Sequence, residues 1–413
     1  MLRFCLSSCL YLIFSVVVLS QSLSTELEVY EFSDGLSHRN VFKIVQDQTG
    51  LIWLATINGL NSFDGYQFRH YNSNSKTGRL PAEMVADITL RDNGELLLAS
   101  PDFLTYFDPV QHSADAHQIK PGQVARREAF APHNLCFKDD AIWCTIFDEI
   151  DGSNWLARFE NDSLHRVRLL PGVSTRRPLL EWQGQLIMGT TGNQLDYLSS
   201  DGEITRTERI KSSRGNTIGI AALTQQNDML WILMEDGKLY QKKNPEETAK
   251  LWGKLPFVTA EAQLGALLIE EDGDIWVGGR GVLWYYDHWQ RNWVDYDDAI
   301  RQELRNTCTY RQNFRGRSGT IWLATDFGAL KITQSDRLFD HYLSGGSEYC
   351  SNVYCSTRGM TEDERGNLYI SYYNSIHVLD QNTQSIRPLF PRKDYFNYPF
   401  GLAYAAGALY TGN

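Results

Sequence analysis

Short, largely apolar runs alternate with polar turn residues along almost the whole chain, and one phrase keeps returning in register. It reads TGLIWLATINGLNSFD at Thr49 to Asp64, DGDIWVGGRGVLWYYD at Asp272 to Asp287 and SGTIWLATDFGALKI at Ser318 to Ile332, with fainter copies centred on Leu97, Trp143, Ile187, Trp231, Tyr369 and Tyr410. Counted from Trp53, successive copies are 44, 46, 44, 44, 45, 46, 47 and 41 residues apart. Each copy divides into four short strands. In the first, Val41 to Gln46, Leu51 to Thr56, a run through Leu60 and Phe63, and Tyr66 to Tyr71 are separated by Asp47-Gln48-Thr49-Gly50, Asn58-Gly59 and Asp64-Gly65. Asp or Asn followed by Gly supplies the positive φ angles of tight hairpins. A repeat in the mid-forties built this way is a four-stranded propeller blade, so the pattern predicts an all-β chain of propeller type.

An aromatic-x-x-Tyr signature marks the fourth strand at Phe68 with Tyr71, Trp293 with Tyr296 and Phe339 with Tyr342. A similar strand, Glu28 to Phe32, precedes the first full repeat and has no copy of its own to belong to. Propellers close by completing the last blade with a strand from the other terminus. If this strand completes the blade of Trp322, residues 25–343 hold a seven-bladed propeller and 344–413 begin a second one, broken off in mid-blade. A single eight-bladed ring is the alternative.

Length and composition narrow the picture. At 413 residues a single core is near its limit unless the chain grows by repeats; 42% hydrophobic and 12% aromatic residues supply ample buried surface. The net charge of −11 comes without a basic run able to track a phosphate backbone, which argues against nucleic acid as a partner. Residues 1–22 differ in kind: Arg3, an apolar stretch from Phe4 to Leu19, then Ser20, Gln21 and Ser22 form the layout of a cleavable secretory signal peptide. The expected location is periplasmic or extracellular. Beyond that segment lie Cys136, Cys144, Cys308, Cys350 and Cys355, an odd number. Cys350 with Cys355 could close a short loop, whereas a tight turn between Cys136 and Cys144 would set those two on opposite faces.

Gly35 to Asn72, GLSHRNVFKIVQDQTGLIWLATINGLNSFDGYQFRHYN, closely resembles the two-component regulator propeller repeat, and the likeness extends in weaker form along the chain after the signal. The resemblance implies the N-terminal sensor region of a bacterial envelope protein with two consecutive seven-bladed propellers. A β-sandwich linker, a membrane helix and a cytoplasmic output module, a histidine kinase or a GGDEF diguanylate cyclase, would follow. None of those output parts lies within residues 1–413, so an enzymatic label for the chain itself stays open.

Chemistry is sparse. No G-x-S-x-G elbow, Walker loop or H-E-x-x-H motif is present, and no cofactor or metal is expected. The repeated tryptophans read as packing between blades. Trp284, Tyr285, Tyr286, His288, Trp289 and Trp293 are more aromatic surface than one blade edge needs, and so mark either a ligand or dimer patch or an outer packing layer. His112, Asp115 and His117 read as a solvated inter-blade segment without a strand, and Glu270, Glu271, Asp272 and Asp274 as turn chemistry. Ligands are expected where turns between second and third strands meet the inter-blade connections. This nominates His38, Arg39, Asn58, Asn193, Arg280, Asp326 and Asn374. The expected function is extracytoplasmic sensing of a glycan or other small ligand, in a dimer coupled to the membrane. A free-standing exported lyase or glycan hydrolase, or an interaction scaffold, is the alternative.

Overall fold

The computed structural model describes residues 24–118, 132–139, 141–148, 152–160, 163–171, 177–211, 218–259, 261–335, 357–372, 375–380, 385–390 and 401–412. The chain is all-β, and it divides into a compact unit, Thr25–Gln334, and a second unit to which the described residues from 335 onward belong.

Among the described residues, the first unit contains seven four-stranded sheets. Six are continuous in sequence, within residues 41–71, 87–118, 133–170, 179–209, 220–254 and 266–295, and are called sheets 1 to 6 below. Sheet 7 takes Tyr310–Arg315, Ile321–Thr325 and Gly328–Ser335 and is completed by Ser24–Tyr30 from the start of the chain. The first strands neighbour one another in a closed cycle, Val41–Gln46 beside Asp87–Leu90 and so on round to Tyr310–Arg315, which lies beside Val41–Gln46 again. Side chains stitch this inner series together. Ile44 N donates to Gln312 Oε1 at 2.7 Å, Lys43 Nζ pairs with Asp87 Oδ1 at 2.7 Å, and Leu135 N donates to Asp87 Oδ2 at 3.1 Å.

The repeating residue of the sequence stands on the second strand of every sheet and is buried: Trp53, Leu97, Ile187 and Trp276 are 0% exposed, Trp143 1%, Trp322 3% and Trp231 6%. The apolar core is correspondingly divided into seven clusters, each shared by two adjacent sheets. Trp53 of sheet 1 meets Phe107 of sheet 2 at 5.5 Å between ring centroids, and Trp322 of sheet 7 meets Phe63 of sheet 1 at 5.9 Å. A sheet buried on both faces in this way explains why its middle strands read as continuous apolar runs instead of alternating ones.

Two local devices recur. In sheets 1 and 6 a carboxylate six residues before the buried tryptophan holds the indole, and in sheet 1 it also caps the turn. Asp47 Oδ1 accepts the N–H groups of Thr49, Gly50 and Leu51 at 2.8, 3.0 and 3.1 Å, and Oδ2 accepts Trp53 Nε1 at 2.7 Å. Glu270 Oε1 likewise accepts Trp276 Nε1 at 2.7 Å. Between second and third strands, a threonine hydroxyl closes the turn: Thr56 Oγ1 donates to Gly59 O at 2.9 Å and Thr325 Oγ1 to Gly328 O at 2.8 Å. Gly59 and Gly328 adopt φ of 93° and 103°, and a Cβ on either would collide with a carbonyl oxygen, of Tyr71 in one case and Tyr30 in the other. Tyr30 thus holds in sheet 7 the place that Tyr71 holds in sheet 1.

The second unit contains a four-stranded sheet of Thr357–Glu362, Leu368–Tyr372, Ser375–Asp380 and Ser385–Pro388, and a hairpin of Gly401–Ala405 with Ala408–Gly412. Tyr369 repeats the acid device with a phenol, its hydroxyl donating to Asp363 Oδ2 at 3.2 Å. Phe339, Tyr342, Cys350 and Cys355 lie outside the described residues. One expectation needs correction. Ser113–Gln118 is a strand, not a loose connection: it pairs with Phe103–Asp108, Leu104 opposite His117 and Tyr106 opposite Asp115. Its polar, alternating composition hid it, because an outermost strand has little core to face.

Candidate functional site

Antiparallel order places the turns between second and third strands, and the connections from each fourth strand to the next first strand, at the same end of every sheet. Asn58, Asn193, Arg280 and Asp326 stand on such turns, and His38 and Arg39 on the connection entering sheet 1. Asn374 lies outside the described residues.

The connection is anchored from below. Asn61, 0% exposed, accepts Ser37 N at 3.0 Å and donates to Ser37 Oγ at 2.8 Å, while Ser37 Oγ meets Thr56 Oγ1 at 3.0 Å. Asn58 Nδ2 adds a donation to Ser37 O at 3.4 Å. On this base, His38 Nδ1 accepts the N–H of Asn40 at 2.9 Å, and burial together with the Arg39 charge holds its imidazole below the usual histidine range. Arg39 lies over the Phe327 ring, 5.1 Å from its centroid. Asp326, one residue earlier, accepts Thr309 N through Oδ1 at 2.8 Å, and Thr309 bridges to Arg280 across the backbone. His38, Arg39, Asn58, Asp326 and Arg280 therefore form one arc over sheets 1, 7 and 6. Asn193 belongs elsewhere, on sheet 4. Its φ is 55°, its Nδ2 donates to Ile210 O at 2.9 Å and its carbonyl accepts Ile210 N at 2.9 Å, which makes it a staple of its own sheet.

Arg280 also borders a cavity of about 450 Å³ with Glu261, Trp284, Asp295, Asp298 and Arg301 among its walls. Trp284 Nε1 donates to Phe257 O at 3.0 Å, tying the connection before sheet 6 to the sheet. The far wall is the helix Asp297–Leu304 in the connection between sheets 6 and 7. Asp297, 1% exposed, anchors it by accepting Tyr310 Oη at 2.9 Å and pairing with Arg301, whose guanidinium also stands 3.3 Å from Asp298. That partnership raises Arg301 above the ordinary arginine range, and desolvation, followed by the charges of Asp298 and Asp297, raises the Asp295 carboxyl. Arg280 and Glu261 have no ion pair among the described residues. A cleft offering guanidinium donors, carboxylate acceptors and an indole suits a polyhydroxylated ligand, and its volume is within the range of small-molecule sites. Of these walls, the sequence singled out Arg280 and Trp284. It missed Arg301, Asp295 and Asp298, although acids followed by arginine at i+4 in DDAIRQEL carry a helix signal.

The remaining aromatic residues of that region mostly pack sheet 5 on sheet 6: Trp252 meets Trp231 at 5.4 Å and Tyr286 at 4.9 Å, and Tyr286 meets Trp293 at 5.1 Å. Trp289, by contrast, is 86% exposed. His117 Nε2 is 3.4 Å from Asp115 Oδ2, while His112 turns away to Tyr71 and Arg69. Among the described residues no group of three His, Cys, Asp or Glu could hold a metal ion. Cys136, Cys144 and Cys308 are buried free thiols, and burial pushes Cys136 up to about 11 and Cys308 up to about 12.

No protein-family model matches the chain. A 70-residue stretch is 39% identical to the protein named Histidine kinase P4 of Formosa agariphila, covering 15% of this chain and 5% of that protein. Among solved structures, the extracellular domain assigned to a hybrid two-component system of B. thetaiotaomicron matches with a TM-score of 0.54 at 16% identity, over 94% of this chain and 51% of that one. Virginiamycin B lyase from Staphylococcus aureus matches with a TM-score of 0.56 at 17% identity, over 76% of this chain and 100% of the lyase. The chain thus spans about half the length of the B. thetaiotaomicron domain and a small part of the Formosa protein. At these identities the structural likenesses establish a shared fold.

Proposed function

We propose that this chain is the extracytoplasmic ligand-sensing region of a membrane-bound signal-transduction protein. In this reading Thr25–Gln334 is a closed seven-bladed propeller, the second unit begins another, and an output module lies beyond the sequence. The observation that carries it is the extent of the structural likeness. The lyase match stops at 76% of the chain, about what the first unit alone supplies, whereas the match to the two-component extracellular domain runs to 94%. The stretch shared with a histidine kinase supports the same reading. No helix among the described residues is long and apolar enough to cross a membrane, so coupling to a membrane would run through a segment outside them. We place the signal peptide at residues 1–22, export to the periplasmic or outer side, and homodimerisation within the same proposal.

The ligand would be a glycan or other small polar molecule held in the cleft beside Arg280. Signalling would follow if two arrangements of the dimer bound it with different affinity. The test is binding of purified protein to a panel of neutral oligosaccharides, repeated with Arg280→Ala and Glu261→Ala. Both positions are exposed, so the fold should survive. A hit weakened tenfold or more by either change supports the site; a hit indifferent to both moves it elsewhere. The lyase likeness makes an exported enzyme the second reading, which turnover of any bound ligand would favour.

A further inference from the structure

A second cavity, about 460 Å³, lies at the opposite end of the first unit, where the turn joining the last two strands of sheet 1 faces the corresponding turn of sheet 2. Ser62, Asp64, Gln67, Arg69, His70 and His112 are among its walls. Its organising contact is unusual. Arg69 Nη1 lies 3.1 Å from His112 Nε2, and a guanidinium only donates, so Nε2 accepts and the ring proton sits on Nδ1, from which it is given to Tyr71 Oη at 2.9 Å. His112 is itself fixed. Its ring stacks on Tyr71, which is 1% exposed, at 5.6 Å and 22°. Its turn is capped by Asp108 Oδ1, which accepts Val110 N and Gln111 N at 2.8 and 2.9 Å.

Arg69 is therefore oriented by a neutral acceptor, and it has no ion pair among the described residues. The carboxylate that shares the cleft, Asp64, spends Oδ1 on Tyr66 N and Gln67 N, both at 2.8 Å. His70 Nε2 donates to Gly35 O at 2.5 Å. Around the cleft the same two turns carry the most conspicuous apolar exposure on this part of the surface, Tyr66 at 96% and Val110 at 77%. A pre-oriented guanidinium without an ion pair among the described residues, in a cleft whose bordering turn, Asp64 to Gln67, also exposes the Tyr66 ring, is a combination that packing does not call for.

We infer that this cleft binds a small organic acid, its carboxylate or equivalent sulfate received by the forked donors of Arg69 and its carbon skeleton resting on Tyr66. Charge-assisted, bidentate bonds supply the recognition of the oxyanion, and the aromatic face supplies contact area. The site is separate from the cleft at Arg280, so either can fail without the other.

The test uses the full chain at constant ionic strength, with chloride as the balancing anion. D-glucuronate, inorganic sulfate and neutral D-glucose are titrated by calorimetry against the protein and against Arg69→Gln, Tyr66→Ser and His112→Phe, all checked for an unchanged unfolding midpoint. The expected result is saturable glucuronate binding at least tenfold tighter than glucose. Arg69→Gln should lower it tenfold or more, and His112→Phe, which keeps a ring against Tyr71 but removes the acceptor, should lower it severalfold. Tyr66→Ser should weaken glucuronate and leave sulfate unchanged. Equal binding of glucuronate and glucose, affinity within twofold after Arg69→Gln, or no saturable binding of either anion would overturn the inference.

Discussion

Removing the carboxylate of Asp47 and the indole nitrogen of Trp53, singly and together, probes the device that the repeat uses most visibly. Asp47 is 2% exposed and Trp53 0%, and the bond between them is 2.7 Å. In Asp47→Ala the indole N–H loses its partner inside the core, at a cost of about 1–3 kcal/mol, and the turn loses a cap worth roughly 1 kcal/mol, so about 2–4 kcal/mol is expected. Trp53→Phe leaves the buried carboxylate with one donor fewer and opens space beside Tyr71 and Phe107, for a similar loss. The double variant should be less damaged than the two singles combined. A hydrogen bond to a charged acceptor is worth about 1.5–3 kcal/mol, and that is the expected coupling. Urea unfolding followed by circular dichroism, with the slopes compared so that only midpoint changes count, measures all four corners. Coupling below about 0.5 kcal/mol would show that the tryptophan is retained for shape alone and that the acid six residues earlier serves only the turn. The pair Glu270 and Trp276 offers the same experiment in sheet 6 and should return a comparable coupling.

Gly328→Ala should loosen the closing strand: strain at φ 103° costs about 1–2 kcal/mol, and the added methyl meets the Tyr30 carbonyl as well. Gly65→Ala, at φ 100° with nothing within 4 Å, is the control and should show only the strain. Limited proteolysis should cut near residues 24–31 faster in the first variant, and equal rates in both would disconnect Gly328 from closure. For Asp295 the folded carboxyl is raised by desolvation and by neighbouring Asp298 and Asp297. A raised acid favours the fold while protonated and loses that benefit as pH climbs through its folded value, so Asp295→Asn should be more stable than the parent at neutral pH. The advantage should shrink towards acid pH, and thermal midpoints from pH 3 to 8 would refute the reasoning by showing no pH-dependent difference.

Much of the fold was legible because a repeat writes the same physics many times. A turn acid, a buried aromatic residue six positions on and a Thr-x-x-Gly turn are local requirements, and each can be read without knowing what lies across the interface. The strand Ser113–Gln118 escaped notice because its polar residues face outward, where no core imposes a period. The helix Asp297–Leu304 is a single period-3.6 insertion of about two turns, too short to stand out against the repeated strands on either side of it.

The candidate sites divide along the same line. Sequence position alone put Asn193 with Arg280, since both occupy the turn between second and third strands. The structure separates them, Asn193 spent on Ile210 and Arg280 open to a cavity. The chain by itself determined the all-β architecture, the phase of the inner apolar strands and the repeated residues that must be buried, because backbone turns and hydrophobic burial depend on near neighbours. Only the tertiary structure decided which polar groups meet. Arg280 comes to Trp284 and the helix from the next connection, and Arg69 comes to His112 from the adjoining sheet, 43 residues on. Such meetings depend on how consecutive sheets are set beside one another, and a polar side chain at the end of a strand carries no period that would announce its partner.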